Sequence, residues 1–201
     1  MRVGWSSHAG GATRDYVLQA IERGLAEVAF TDHVPLYFLP GEDPDPHLAM
    51  TRAELPEYVD EIEALRREFA GRIDVLLGLE ADYAEGHEGT LRSLLALHDW
   101  DVVLGSVHWV AGDWIDAPGS AKRHETEGTV TLWTEYFRLM AKACATGLFD
   151  VMTHFDLPKK FGHLMPASAS AGEKRAVDAA RASGVAVEVS SAGLRKPVGE
   201  E

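Results

Sequence analysis

The chain has 201 residues, 46% of them hydrophobic and 25% charged, which is the composition of a folded globular protein rather than a fibrous or disordered one. A formal net charge of −13 argues against a nucleic-acid partner, whose phosphates most of this surface would repel. The chain has no stretch near the roughly 20 apolar residues of a membrane span, and its N-terminus lacks the apolar core of a signal peptide. The single cysteine, Cys144, excludes an internal disulfide and fits the reducing cytoplasm, where we expect the protein to act.

Short strands alternate with amphipathic helices along the chain, the pattern of parallel β/α units. Thr13 is the predicted N-cap of a first helix that stops near Gly24. The other predicted helices are a segment that opens with the capping box Thr51–Glu54 and runs to Phe69, residues 88–97, a segment marked by Val130, Trp133, Phe137 and Met140, and residues 167–183. The predicted strands cover residues 26–31, 73–78, 101–105, 149–153 and 185–189. Segments 34–50 and 111–127 have no period and are predicted as loops. The pattern predicts an α/β fold in one domain over residues 1–201.

Side chains that can bind metal follow four successive predicted strands. They are Asp32 and His33 after the first strand, Glu80 and Asp82 after the second, His108 after the third and His154 after the fourth. Because parallel strands in β/α units end on one rim, we expect these side chains to meet there. Imidazole and carboxylate ligands suit Zn, Fe or Mn. Two such ions about 3.5–4 Å apart can share a hydroxide and stabilise the attacked and departing oxygens of a phosphate ester.

The predicted ligands are His33, Glu80, His108 and His154, with Glu80 able to bridge two ions. Spacing alone leaves His8, which precedes the first helix, undecided. Asp32 stays open between a carboxylate that holds a ligand imidazole and an ordinary strand-end hydrogen-bonding residue, and we take it with Glu80 as a candidate catalytic residue. The histidines in polar loops or at helix ends are expected to be solvated: His47, His87, His98 and His124.

Three cations lie near the same predicted rim. Lys159 and Lys160 closely follow His154, and in so acidic a chain the pair suggests neutralisation of a phosphate, although an ordinary solvated pair fits equally well. Arg195 follows the fifth strand and could hold phosphate through two hydrogen bonds. Glu188, inside that strand, is expected to be structural.

Taken together and in order, the motifs of this chain resemble the PHP family, and within it the histidinol-phosphatase branch. They are Ser7-His8-Ala9-Gly10, Phe30-Thr31-Asp32-His33-Val34-Pro35, Gly78-Leu79-Glu80-Ala81-Asp82-Tyr83, Gly105-Ser106-Val107-His108, Gly147-Leu148-Phe149-Asp150, Thr153-His154-Phe155-Asp156-Leu157-Pro158-Lys159-Lys160-Phe161-Gly162 and Ala192-Gly193-Leu194-Arg195-Lys196-Pro197. The resemblance implies a distorted (β/α)₇ barrel with up to three divalent metal ions. It also implies hydrolysis of L-histidinol phosphate late in histidine synthesis.

Carried over position by position, the resemblance implies that Glu80 bridges two metals and that His108 and His154 complete the shell of the second. It further implies that His8 and His33 bind the third metal. The family pattern also has a His-x-His pair upstream of His8, near where Arg2 stands here, and a late Asp-x-His motif that this sequence does not reach. We therefore expect a PHP domain truncated at both ends, in which the first metal loses most of its shell.

The sequence leaves two other functions open. One is a different PHP phosphoesterase, such as a nuclease, which the charge and the lack of a basic, aromatic-lined track oppose. The other is a non-catalytic metal-binding or interaction protein. The sequence predicts a small phosphate ester as partner, and it decides neither the metal nor the oligomeric state.

Overall fold

The computed structural model describes residues 10–45 and 47–191, and this part of the chain has the predicted α/β organisation. Its helices are α1 (Thr13–Glu22), α2 (Glu54–Glu68), α3 (Glu88–Leu95), α4 (Thr129–Ala145) and α5 (Ser170–Ser183). Its strands are β1 (Glu27–Phe30), β2 (Asp74–Asp82), β3 (Val102–Ser106), β4 (Trp109–Val110), β5 (Asp113–Trp114), β6 (Val151–Met152) and β7 (Ala186–Val187). Five strands form a sheet in the order β1-β2-β3-β6-β7, and β4 and β5 form a small antiparallel pair.

The chain folds as two compact units. Of the described residues, one unit contains those up to Ala81 together with Gly89–Leu104, and the other contains Asp82–Glu88 and those from Gly105 onward. Compact units of this kind can belong to one domain, so the single domain over residues 1–201 stays a prediction. Among the described helices, none is long and apolar enough to cross a membrane.

In the first unit, α2 packs over the parallel pair β1 and β2. The strands are in register from Glu27 opposite Asp74 to Phe30 opposite Leu77. The fully buried Tyr58 of α2 donates a shared hydrogen bond to the carbonyl oxygens of Phe30 and Gly78, at 2.8 and 2.7 Å. Since these carbonyls belong to neighbouring strands, the phenol fixes the helix across both of them.

The start of α2 confirms the predicted capping box. The amide of Thr51 donates to the Glu54 carboxylate at 2.8 Å, and the amide of Glu54 donates to the Thr51 hydroxyl at 3.3 Å. The first helix differs from the prediction: α1 includes Thr13, and Ala12 occupies the N-cap position without a side-chain hydrogen bond. A hydroxyl at Thr13 is therefore not what begins this helix.

In the second unit, α4 carries the largest part of the core. Its buried face includes Trp133, Phe137 and Met140 of the predicted helical period, together with Tyr136, whereas Val130, the remaining residue of that period, is 47% exposed. The helix packs closely on α5, where Gly172 lies so near Phe137 that a β-carbon there would be 3.3 Å from the Phe137 β-carbon. Strands β6 and β7 are parallel, with Val151 opposite Ala186 and Met152 opposite Val187.

Most predicted boundaries shift by a few residues; β7, for example, ends at Val187, so Glu188 lies just after the strand and not inside it. Two larger differences concern β2 and the predicted loop 111–127. Strand β2 continues to Asp82, so Glu80 and Asp82 lie within the strand rather than after it. The cause is a continued ladder, in which the Glu80 amide donates to the Asp32 carbonyl at 3.0 Å and the Val34 amide donates to the Glu80 carbonyl at 3.0 Å. The predicted loop 111–127 instead contains β5 and two short helical turns, Ser120–Lys122 and His124–Gly128, whereas 34–50 lacks helices and strands among its described residues, as predicted.

Candidate functional site

In the first unit, the structure brings His33 and Glu80 side by side. They form a parallel β-bridge, so the two residues lie opposite each other on adjacent segments of the same sheet. The carbonyl of His33 also accepts a hydrogen bond from the Met50 amide at 3.3 Å, which ties this end of the strand to the loop before α2. An imidazole and a carboxylate, both half-buried, are thus held together by backbone pairing.

Asp32 immediately precedes this pair. Its carbonyl accepts the Glu80 amide, so its backbone helps to fix the position of Glu80. Burial and, next, the charge of Asp32 raise the pKa of Tyr58 above its ordinary value, which keeps the phenol protonated as the donor that joins β1 to β2. The structure thus gives Asp32 a positioning part through its backbone.

In the second unit, Asp82 fixes His108. One carboxylate oxygen of Asp82 accepts from the ring Nδ1 of His108 at 2.8 Å and from its backbone amide at 3.0 Å. Both residues are buried. A carboxylate held against Nδ1 fixes the orientation of the imidazole, which is the arrangement that suits a metal-binding histidine.

The sequence places Asp82 among the side chains that can bind metal, but the predicted ligands do not include it. Its spacing from Glu80 could have indicated its role, because the two residues are two positions apart on one strand and such residues point to the same face. The alternation therefore directs a potential ligand and a carboxylate that orients an imidazole toward the same side of β2.

His154 lies next to His108, with ring centroids 4.8 Å apart. Its backbone φ is 29°, in the left-handed region that residues other than glycine rarely adopt. Three hydrogen bonds hold this conformation. The His154 amide donates to the Glu188 carboxylate at 2.9 Å. The His154 carbonyl accepts from the Tyr136 hydroxyl at 2.6 Å and from the Leu157 amide at 3.1 Å. The sequence predicts a structural role for Glu188 and does not single out Tyr136.

The two predicted lysines follow His154 in a short helical turn, Leu157–Phe161, and each is paired with a carboxylate. Lys159 lies 2.6 Å from Asp156, and Lys160 lies 2.9 Å from both the carboxylate and the carbonyl oxygen of Asp116. Both lysines line a cavity of about 930 Å³ within the second unit, together with His108 and His154. The two lysines and the two imidazoles thus line one cavity.

The remaining predicted residues have different outcomes. His8 and Arg195 lie outside the described residues, so their predicted roles stay predictions. His47 and His87 are exposed, as expected, while His98 is half-buried against Trp100, with ring centroids 5.4 Å apart. The prediction for His124 is wrong: the ring is buried, with 5% of the residue exposed, because it stacks on His163.

The chemistry of the donor set fits a metal ion of intermediate hardness. The first unit holds the imidazole of His33 beside the carboxylate of Glu80, and the second unit holds the imidazoles of His108 and His154 beside the carboxylate of Asp82. These ligand types suit Zn, Fe or Mn. The one cysteine, Cys144, is buried in α4, and burial raises the pKa of its thiol to about 11, so it offers no thiolate ligand.

Comparison with known proteins gives a consistent result. The model of the family described as "PHP domain" matches residues 1–192. A protein of Deinococcus radiodurans named "Probable histidinol-phosphatase" is 41% identical over 196 residues, which are 96% of this chain and 72% of the relative.

Two crystal structures share the fold. One is of a Listeria monocytogenes protein assigned as a histidinol phosphatase, with a TM-score of 0.84, 19% identity, and coverage of 99% of this chain and 84% of the other. The second is histidinol phosphate phosphatase from Lactococcus lactis in complex with Zn, L-histidinol and phosphate, with a TM-score of 0.79, 21% identity, and coverage of 98% and 73%. These likenesses confirm the fold class predicted from the sequence, the distorted (β/α)₇ barrel.

Proposed function

The chain belongs to the PHP domain family, and we propose that it is a divalent-metal phosphomonoesterase that hydrolyses L-histidinol phosphate to L-histidinol and phosphate, in histidine biosynthesis. The observation that carries this proposal is the second unit's cavity, which is lined by the neighbouring rings of His108 and His154 and by the two lysines. The complex of the L. lactis relative with Zn, L-histidinol and phosphate supports the same chemistry.

We propose His33, Glu80, His108 and His154 as metal ligands, with His8 as a further ligand. Zn, Fe or Mn ions, up to three in the family's complete site, would supply an activated water and stabilise charge on the phosphoryl oxygens. The donor types support the assignment, and so does the Asp82–His108 contact, because a carboxylate on one ring nitrogen is a common way to orient a metal-binding imidazole. Asp32 has a proposed supporting part, based on its carbonyl contact with the Glu80 amide.

The cationic side chains have the proposed task of neutralising the phosphate. Lys159 and Lys160 would exchange part of their contact with Asp156 and Asp116 for contact with phosphoryl oxygens, and Arg195 would add a planar donor pair. A charged phosphate can compete with a partly exposed carboxylate because pairs of this kind are individually weak. The lysines therefore act as cations that are already positioned before substrate arrives.

The organic part of the substrate has a suitable surface in the same cavity. Trp133, Phe137, Leu164 and Met165 form its apolar lining, and Glu173 and Glu188 also contribute to it. Histidinol has a flat imidazole and a cationic amine, which such apolar walls and carboxylates can accommodate. This supports a small amine-containing phosphate ester over a nucleic acid.

Replacement of Glu80 by glutamine tests the proposed function. The amide keeps the size of the side chain but cannot bridge two cations, so we expect turnover of histidinol phosphate to fall by about 100-fold or more. Circular dichroism and the denaturant midpoint should stay close to wild type. The control is Glu42→Gln, at an exposed loop carboxylate, which should leave turnover unchanged.

Near-wild-type turnover by the Glu80→Gln variant would contradict the assignment. Parallel assays on histidinol phosphate and on a dinucleotide separate this function from a nuclease-type PHP activity. One tightly held metal per chain with no hydrolysis of either compound would favour a non-catalytic metal-binding protein. A cytoplasmic location is part of the proposal, and the single buried cysteine supports it.

A further inference from the structure

A pair of stacked histidines lies in the second unit, outside the set of side chains used above. The rings of His124 and His163 are 4.0 Å apart between centroids and only 8° from parallel. Neither ring nitrogen of His124 makes a hydrogen bond of normal geometry with another described residue, although the ring is buried. Burying a polar ring without such bonds costs free energy of folding, so the stacking contact with His163 is the interaction that stabilises the His124 ring in this position.

The pair connects two segments that are far apart in sequence. His124 lies in the helical turn just before α4, and His163 directly follows Gly162, whose left-handed backbone ends the lysine-bearing turn Leu157–Phe161. The amide of Gly162 donates to the Lys159 carbonyl at 2.8 Å, and the indole of Trp133 donates to the His163 carbonyl at 3.1 Å. His163 is thus held twice, by a ring and by a hydrogen bond, immediately after the two lysines.

The charges around His124 keep its ring neutral. Burial first, and then His163 and Arg123, lower the pKa of His124 to about 4, while the Pro158 carbonyl and Glu127 oppose this shift. Arg123 is itself held by Glu127 at 2.7 and 2.8 Å and by the carbonyls of β4 and β5. At neutral pH the ring therefore contributes an uncharged stacking face.

We propose that the His124–His163 stack is a positioning latch that keeps Lys159 and Lys160 directed into the cavity, and that its loss weakens substrate binding more than turnover. The inference rests on the proposed function, because it assigns the two lysines to the substrate phosphate. His124 and His163 are positioning residues here, since they act through the segment that carries the lysines.

Paired substitutions test the latch. His124→Ala and His163→Ala remove the stack, and we expect each to raise KM for histidinol phosphate about 10-fold while kcat stays within about twofold, the signature of lost binding rather than lost chemistry. His124→Phe keeps a flat ring without nitrogens and should retain the wild-type KM. The matched control is His98→Ala, which removes another ring-packed histidine, from the first unit.

Limited trypsin digestion adds a measurement that needs no activity. Cleavage after Lys159 or Lys160, identified by mass spectrometry, should be about 10-fold faster in both alanine variants and unchanged in His124→Phe, because an ordered segment resists proteolysis. If the wild type hydrolyses no histidinol phosphate, the proposed function fails while the digestion still reports on the latch. Wild-type KM and digestion rates in the alanine variants, or a His124→Phe variant that behaves like His124→Ala, would overturn the latch.

Discussion

His154 shows how one unusual backbone conformation can be stabilised by residues whose role the sequence does not reveal. Strand ends predicted His33, Glu80, His108 and His154 as candidates, because backbone direction follows from sequence pattern. The contacts of Glu188 and Tyr136 with the backbone of His154 could not be predicted in the same way. These contacts depend on how α4 and the segment after β7 pack against His154, and such tertiary packing is not encoded in the local sequence pattern.

We expect the acceptor oxygen of Glu188, rather than its charge, to be what His154 needs. Glu188→Ala removes the partner of the His154 amide and should lower metal affinity about 10- to 100-fold, the usual cost of losing a group that orients a ligand. Glu188→Gln keeps a carbonyl oxygen at the same reach and should restore most of that affinity. Equilibrium dialysis against Zn²⁺ measures both.

Equal losses in the two Glu188 variants would show that the carboxylate charge is required and would contradict this interpretation. Val187→Ala, at the neighbouring and exposed position of β7, is the control and should bind metal as the wild type does.

At the scale of elements, the helices followed the sequence most closely. The capping box and the apolar period of α2 and α4 are local, so the sequence alone was enough. The end of β2 was missed because the ladder from Asp32 to Val34 extends the strand past the apolar run. The helical turn that buries His124 was missed for a related reason, since its polar sequence gives no sign of the ring of His163.

Gly105 of β3 allows a close approach that any side chain would prevent. A β-carbon there would lie 2.5 Å from the Phe149 ring and 2.7 Å from the Met152 sulfur. Gly105→Ala should therefore lower the free energy of unfolding by about 1–3 kcal/mol, the typical cost of overpacking. Urea unfolding measures this as a lower midpoint at an unchanged m-value.

The matched control is Gly89→Ala on α3, where a β-carbon would meet nothing within 4 Å. Alanine at such a helical site should be neutral or stabilising by up to about 1 kcal/mol. A Gly105→Ala variant as stable as wild type would mean that β3 and Phe149 can separate without cost.

At the scale of the whole molecule, the order of the motifs is more informative than any one of them, because only together are they specific to the PHP family. The division into two compact units was not predictable, since alternation of strands and helices runs through the chain without a break. The acidity of the chain predicts that nucleic acid is not its partner, and it has a second consequence. With 32 acidic and 19 basic residues, the folded chain concentrates negative charge that a bound cation would relieve.

Metal binding should therefore raise thermal stability in an ion-specific way. A ligand present at 100 times its Kd adds about 2.7 kcal/mol to a state that alone binds it. For a chain of this length that corresponds to a rise of roughly 5–10 °C in Tm. We expect this rise with Zn²⁺ or Mn²⁺ and its reversal by a chelator, whereas Ca²⁺, which prefers all-oxygen ligands, should shift Tm much less.

NaCl at matched ionic strength is the control for simple screening of the −13 charge. The Glu80→Gln variant should lose part of the Tm shift that Zn²⁺ produces. If Ca²⁺ or NaCl alone reproduced the full shift, the stabilisation would come from general charge neutralisation, and the imidazole-containing groups would not be its source.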